Sequence, residues 1–140
     1  MGRILAIDYG QKRTGLAVTD ELRMIATALN TIPSASVISY LKQYTQQNQV
    51  DCFVVGLPVT MQNKPSESSR FIEPFVKHLS KMFPEIKIER YDERFTSKIA
   101  SQAIFDSGAK KKDRQDKALI DKVSAVILLQ SYMQMLDFNV

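Results

Sequence analysis

A chain of 140 residues is long enough for one domain with its own core, and such a core needs neither a disulfide framework nor a structural metal. Its single cysteine excludes an intramolecular disulfide, and a net charge of +4 permits a polyanionic partner without requiring one. The longest apolar stretch, residues 123–129, is broken by Ser124 and falls far short of the roughly 20 residues of a membrane span, so no membrane partner is expected. The opening Met1-Gly2-Arg3-Ile4-Leu5 lacks the basic start and long apolar stretch of a signal peptide, and Ala at position 6 does not suit myristoylation. Cys52 lies in the apolar run Cys52-Phe53-Val54-Val55 and reads as a small buried hydrophobe, which fits a reducing, cytoplasmic location.

Residues 3–9 form a short apolar run that ends in an acid, and residues 14–19 read as its hairpin partner across a turn near Gly10. A third strand is predicted from about Met24 to Ile32, stopped by Pro33. Ser34 or Ser36 is predicted to cap the helix that follows, which carries Val37, Ile38, Leu41 and Tyr44 on one face. Residues 52–56 are continuously apolar, as in a strand buried on both sides of a mixed or parallel sheet. After a loop from Pro58 to Pro65, the serine cluster at 66–69 starts a second helix, with Phe71, Ile72, Phe75, Val76, Leu79 and Met82 as its apolar residues. Residues 86–91 read as a fifth strand. Residues 96–107 read as a helix closed by Gly108, and a lysine-rich connector leads to a last, well-buried helix from about Asp116 to Met135. No repeat or linker divides the chain. The expected fold is α/β, a single domain over residues 1–140 with a five-stranded mixed sheet flanked by helices.

Three acidic positions stand out on this outline. Asp8 ends the first strand, where ligands of open α/β sheets gather, and Asp92-Glu93 holds the equivalent place after the fifth. Asp121 sits on a largely apolar helix, where an unpartnered carboxylate would be costly. Shared divalent cations would satisfy all three. Phosphodiester hydrolysis asks for this donor set, since two Mg²⁺ ions about 3.5–4 Å apart activate a water and stabilise the leaving oxygen. Ordinary ion pairs are the competing reading: Arg90 or Arg94 for Asp92 and Glu93, Lys117 or Lys122 for Asp121. The only histidine, His78, is expected at the surface, which leaves no histidine cluster for zinc. Lys12 and Arg13 in the first turn could grip a phosphate beside Asp8, as could Arg94, Thr96 and Ser97 at a helix start, though Thr96 or Ser97 serves equally as a plain cap.

The block from Asp8 to Asp20, Asp8-Tyr9-Gly10-Gln11-Lys12-Arg13-Thr14-Gly15-Leu16-Ala17-Val18-Thr19-Asp20, resembles the opening motif of the YqgF/RuvX family. Gly56-Leu57-Pro58, residues 92–97 and residues 121–125 resemble its later blocks in order, so the resemblance spans essentially the whole chain. It implies an RNase H-like fold related to Holliday junction resolvases and a nuclease that processes the 5′ end of precursor 16S rRNA in ribosome biogenesis. Carried over by motif, Asp8, Glu93 and Asp121 are the expected Mg²⁺ (or Mn²⁺) ligands and catalytic acids. Asp92 is the alternative to Glu93, because a twist at the strand end can exchange the two. Implied partners are precursor rRNA or structured DNA and pre-ribosomal particles, with the chain a monomer or homodimer. Residues 59–65 depart from the family's acidic, glycine-containing pattern, which bears on substrate contacts by that loop and not on the metal site.

Other functions share parts of this pattern. Actin-like ATPases and sugar kinases also open with a strand, an acid and a glycine hairpin, but need two such domains to enclose a nucleotide. A resolvase for branched DNA, or a non-catalytic RNA-binding assembly factor on the same fold, is the nearer alternative, and retention of all three acids argues for catalysis.

Overall fold

The computed structural model describes residues 2–57, 69–92 and 117–138, with the backbone alone described at 57, 69–70, 92, 117–123 and 137–138. Strands β1 (Arg3–Tyr9) and β2 (Arg13–Thr19) form the expected antiparallel hairpin, and β3 (Ala26–Pro33) extends it along β2. A 3₁₀ turn (Ser34–Ser36) leads into α1 (Val37–Gln47), after which β4 (Val50–Leu57) returns parallel to β1. Helix α2 (Ser69–Met82) carries the chain over to β5 (Lys87–Asp92), parallel to β4, and α3 (Lys117–Phe138) is the last element. The sheet order is β3-β2-β1-β4-β5, so β1 is central and the sheet is five-stranded and mixed, as the sequence predicts.

Alternation along the strands divides the core between two faces. Leu5, Ile7, Leu16, Val18, Phe53 and Val55 pack against Val37 and Leu41 of α1 and Ile72, Phe75 and Leu79 of α2. Ile4, Ala6, Ala17, Cys52 and Val54 face Ala125, Leu128, Leu129 and Tyr132 of α3. The small side chains on this second face let one helix sit close to the sheet. Because β1 and β4 have helices on both sides, they read as continuous apolar runs with no polar alternation.

Two local expectations need correction. The third strand begins at Ala26, because the amides of Met24 and Ile25 donate to the Asp20 carboxylate at 2.7 and 3.1 Å instead of joining the ladder. The bonds from Ile25 and Met24 hold the Asp20 carboxyl below its ordinary range. Neither Ser34 nor Ser36 caps α1 through its side chain. Phe71 stands at the edge of the α2 stripe and is 44% exposed. The helix predicted over residues 96–107, the lysine-rich connector and the 59–65 loop lie outside the described residues.

The end of the sheet where β1 and β4 begin is closed by an ion pair. Arg23, at φ 57°, donates to the Gly2 carbonyl and to the Asp51 carboxylate, both at 2.9 Å, and Asp51 also accepts from the Gly2 amide at 2.8 Å. A non-glycine residue in the left-handed region is costly and persists where its surroundings over-determine it, which these bonds do.

At the same end the Tyr132 hydroxyl meets Cys52, and burial pushes the Tyr132 phenol up to about 12 from 10.0. Burial likewise raises the Cys52 thiol, in keeping with a small buried hydrophobe. A phenol whose pKa rises on folding contributes stability in full below the unfolded value, and that stability is lost as the pH climbs through the folded one. Melting temperature should therefore fall between pH 10 and about 12. Tyr132→Phe should flatten that alkaline decline, read by thermal melts across the window.

Candidate active site

Asp8 lies one residue before the end of β1, half-buried, with the strand parity of Ile4 and Ala6 and hence on the α3 face. Its register partner on β2 is Gly15. On the other side, β1 and β4 are in register at Ile7 and Val55, and Gly56 follows. Both neighbouring strands thus present a glycine at the level of Asp8, so no side chain crowds it laterally within the sheet. Tyr9 points to the opposite face and stacks on Phe75 of α2, with ring centroids 4.2 Å apart and planes at 14°. That stack anchors the end of β1 on the face opposite Asp8.

The turn from β1 to β2 carries Lys12, exposed, and Arg13, half-buried at the first position of β2. Arg13 has the parity of Gly15 and Ala17, which is the face of Asp8. A side chain at Gly10 would run into the Arg13 carbonyl, so the chain can double back this tightly only through glycine. Ser34 reaches into the turn from the end of β3: its hydroxyl donates to the Gly10 carbonyl at 2.5 Å and lies 2.8 Å from the Thr14 hydroxyl. Its amide donates to the Lys12 carbonyl at 3.0 Å. Ser34 and Thr14 are functional candidates that the sequence did not single out, because a serine ahead of a helix reads as a cap.

The other candidates are placed to differing degrees. Asp92 closes β5 in register with Leu57, with its backbone alone described. Asp121 belongs to the backbone of α3, one turn ahead of Ala125. Glu93, Arg94, Thr96 and Ser97 lie outside the described residues. Arg90, a candidate ion-pair partner for Asp92 or Glu93, donates to Glu73 of α2 at 2.9 Å and to the Gly56 carbonyl at 3.5 Å. His78 is exposed on α2, as expected. Among the described residues no three His, Cys, Asp or Glu side chains gather into a metal-binding group, and no helix is long and apolar enough to cross a membrane.

The architecture is that of the RNase H-like fold. It superposes on a Thermus thermophilus RuvC solved in complex with a Holliday junction substrate, with a TM-score of 0.57 and 15% identity, covering 96% of each chain. A second Thermus thermophilus RuvC structure gives 0.53 at 13% identity, over 95% of this chain and 96% of that one. The family model described as "RuvX: Holliday junction resolvase" matches residues 2–135, and the chain belongs to that family. A relative from Parabacteroides distasonis named "Putative pre-16S rRNA nuclease" is 54% identical over 96% of both chains. A protein of the same name from Flavobacterium johnsoniae is 53% identical over 95% of this chain and 96% of its own.

The close approach at Gly10 makes a direct test of the turn. In Gly10→Ala the added methyl meets backbone that cannot rotate aside, so the turn must open. The expected cost is about 1–3 kcal/mol of folding free energy, measured by denaturant unfolding.

Proposed function

We propose that this chain is a cytoplasmic, divalent-metal-dependent nuclease that hydrolyses phosphodiester bonds at the 5′ end of precursor 16S rRNA. The observation that carries the proposal is Asp8: a carboxylate on the α3 face, at the carboxyl end of the central strand, between Gly15 and the level of Gly56. Near-half identity to relatives named for that RNA supports the substrate.

The remaining ligands are proposed from direction and parity. Tyr132 packs in one cluster with Ile4 and Cys52, which are register partners at the start of the sheet. From Ile4 to Asp8 is about 13 Å of strand, and from Tyr132 back to Asp121 is about 16 Å of helix. Positions 121, 125, 128 and 132 share one helical face, and Ala125, Leu128 and Tyr132 are buried on it. That course supports Asp121 as a ligand at the level of Asp8. On β5, Tyr91 packs with the α3 cluster and Ile88 with the opposite one, so alternation favours Glu93 over Asp92 as the third acid.

Asp8, Glu93 and Asp121 would hold Mg²⁺ or Mn²⁺, and their all-oxygen donor chemistry fits such hard cations. Bound there, the cations would supply charge neutralisation at the phosphate and an activated water. Lys12 and Arg13, with Arg94, Thr96 and Ser97, bind flanking phosphates and so position the chain without reading its sequence. The family description favours one second reading, resolution of branched DNA. Cleavage of a four-way junction in preference to matched precursor rRNA and single-stranded RNA would establish it.

Asp8→Asn keeps the size and removes the charge, so metal-dependent cleavage of precursor rRNA should fall by orders of magnitude while melting stays cooperative. Full activity in that variant, or in excess EDTA, would falsify the metal reading. In Asp121→Asn, relief of repulsion among the acids should stabilise the metal-free protein, and the rise in melting temperature given by Mg²⁺ should disappear. An undiminished metal-induced rise removes Asp121 from the site. Replacing both Lys12 and Arg13 by Ala should make log affinity for single-stranded RNA shallower in log salt by about 1.4, the release expected for two phosphates. An unchanged slope means that both side chains are simply solvated.

A further inference from the structure

We infer that Ser34 is a positioning residue for nucleic-acid binding: it locks the turn between β1 and β2 so that Lys12 and Arg13 meet the phosphate backbone beside Asp8 in one fixed arrangement. This rests on the proposed nuclease reading of that turn and adds to it a residue from a different part of the chain, the junction of β3 and α1.

A tight, exposed turn bearing two long cationic side chains is ordinarily among the less stable parts of a fold. Here it is fastened at three points by one residue. The Ser34 hydroxyl donates to the Gly10 carbonyl at 2.5 Å, and its amide donates to the Lys12 carbonyl at 3.0 Å. The Ser34 hydroxyl has a single proton, already given to Gly10, so the Thr14 hydroxyl is the donor across their 2.8 Å contact. The chain of bonds therefore has one direction: Thr14 to Ser34 to Gly10. Thr14 is fully buried and Ser34 is 9% exposed, so water competes poorly for these groups. Thr14 shares the face of Leu16 and Val18, under α1, whereas Arg13 has the parity of the Asp8 face. The fastening lies beneath the sheet and leaves the phosphate side clear. Backbone ordered in advance need not be ordered on binding, which is how a residue that touches no ligand raises affinity. Pro33 ends the β3 ladder opposite Arg13 and so delivers Ser34 to the turn.

The test is a double-mutant cycle read by binding of labelled single-stranded RNA in EDTA, where no cleavage intervenes. Ser34→Ala should weaken binding about fivefold, the usual consequence of one lost hydrogen bond. Ser34→Thr, which keeps the hydroxyl, should bind closer to the parent, and precursor-rRNA cleavage by Ser34→Ala should show raised KM with kcat retained. In a protein already carrying Lys12→Ala and Arg13→Ala, Ser34→Ala should have no further effect, because the charges it positions are gone. A merely structural role predicts the same loss in both backgrounds, and that result overturns the inference. So does unchanged binding by Ser34→Ala where the parent binds and the Lys12/Arg13 double variant does not. A parent that binds no RNA overturns the nuclease reading itself, and the positioning role with it.

Discussion

β1 is covered on both faces, and the alternation Ile4-Leu5-Ala6-Ile7 decides what can lie on either side of it. Leu5 and Ile7 require the broad apolar surface of α1 and α2, while Ile4 and Ala6 leave a shallower face that one helix fills. All four residues are essentially excluded from solvent. A slip of one residue would put Asp8 beneath α2 and Tyr9 beneath α3, so the position of the candidate site is fixed by burial several residues away. The parallel pairing of β4 with β1 brings Gly56 to the same level, and the antiparallel pairing of β2 brings Gly15. Neither neighbouring strand therefore places a side chain beside Asp8 within the sheet.

The two ends of the sheet are secured by different chemistry. At the end where β1 begins, Arg23 and Asp51 join the β2–β3 connection to Gly2 through charge-assisted bonds, on side chains that remain about a third exposed. Their position at the margin of the protein avoids the full desolvation cost of a buried pair. At the end bearing Asp8, neutral hydroxyls do the fastening: Thr14 and Ser34 hold the turn without adding charge beside the acid.

Strand order was largely legible because continuous apolar runs, the acid-glycine turn and Pro33 are local signals with local causes. The assignment of helices to faces was not. Alternation shows that Ile86 and Ile88 share a side, but only the packing shows that this side belongs to α1 and α2 and that Tyr91 looks toward α3. That single fact supports the proposed choice of Glu93, which the sequence already preferred over Asp92. Ser34 was misread for a related reason. A serine before a helix has a ready local use as a cap, and nothing in the neighbouring residues reveals that a carbonyl twenty-four positions earlier takes its proton instead. Asp8 and Asp121 were legible as candidates because each interrupts a largely apolar element, and Asp92-Glu93 because it stands at the carboxyl end of a strand.

Two kinds of similarity carry different weight here. RuvC shares the sheet and its helices at 15% identity, and a fold of this kind hosts many reactions, so that likeness fixes architecture alone. Relatives that keep more than half of their residues over nearly the whole length constrain much more. The course of α3 is where the two lines meet. Its far end is tied to the start of the sheet by Tyr132 against Cys52, and its length carries the opposite end back over β1 to the level of Asp8. Small side chains beneath it, Ala6 and Ala17, let it lie close to the sheet. Were Asp121 to meet Asp8 there, as proposed, two bare carboxylates would repel each other, and a cation between them would relieve that cost.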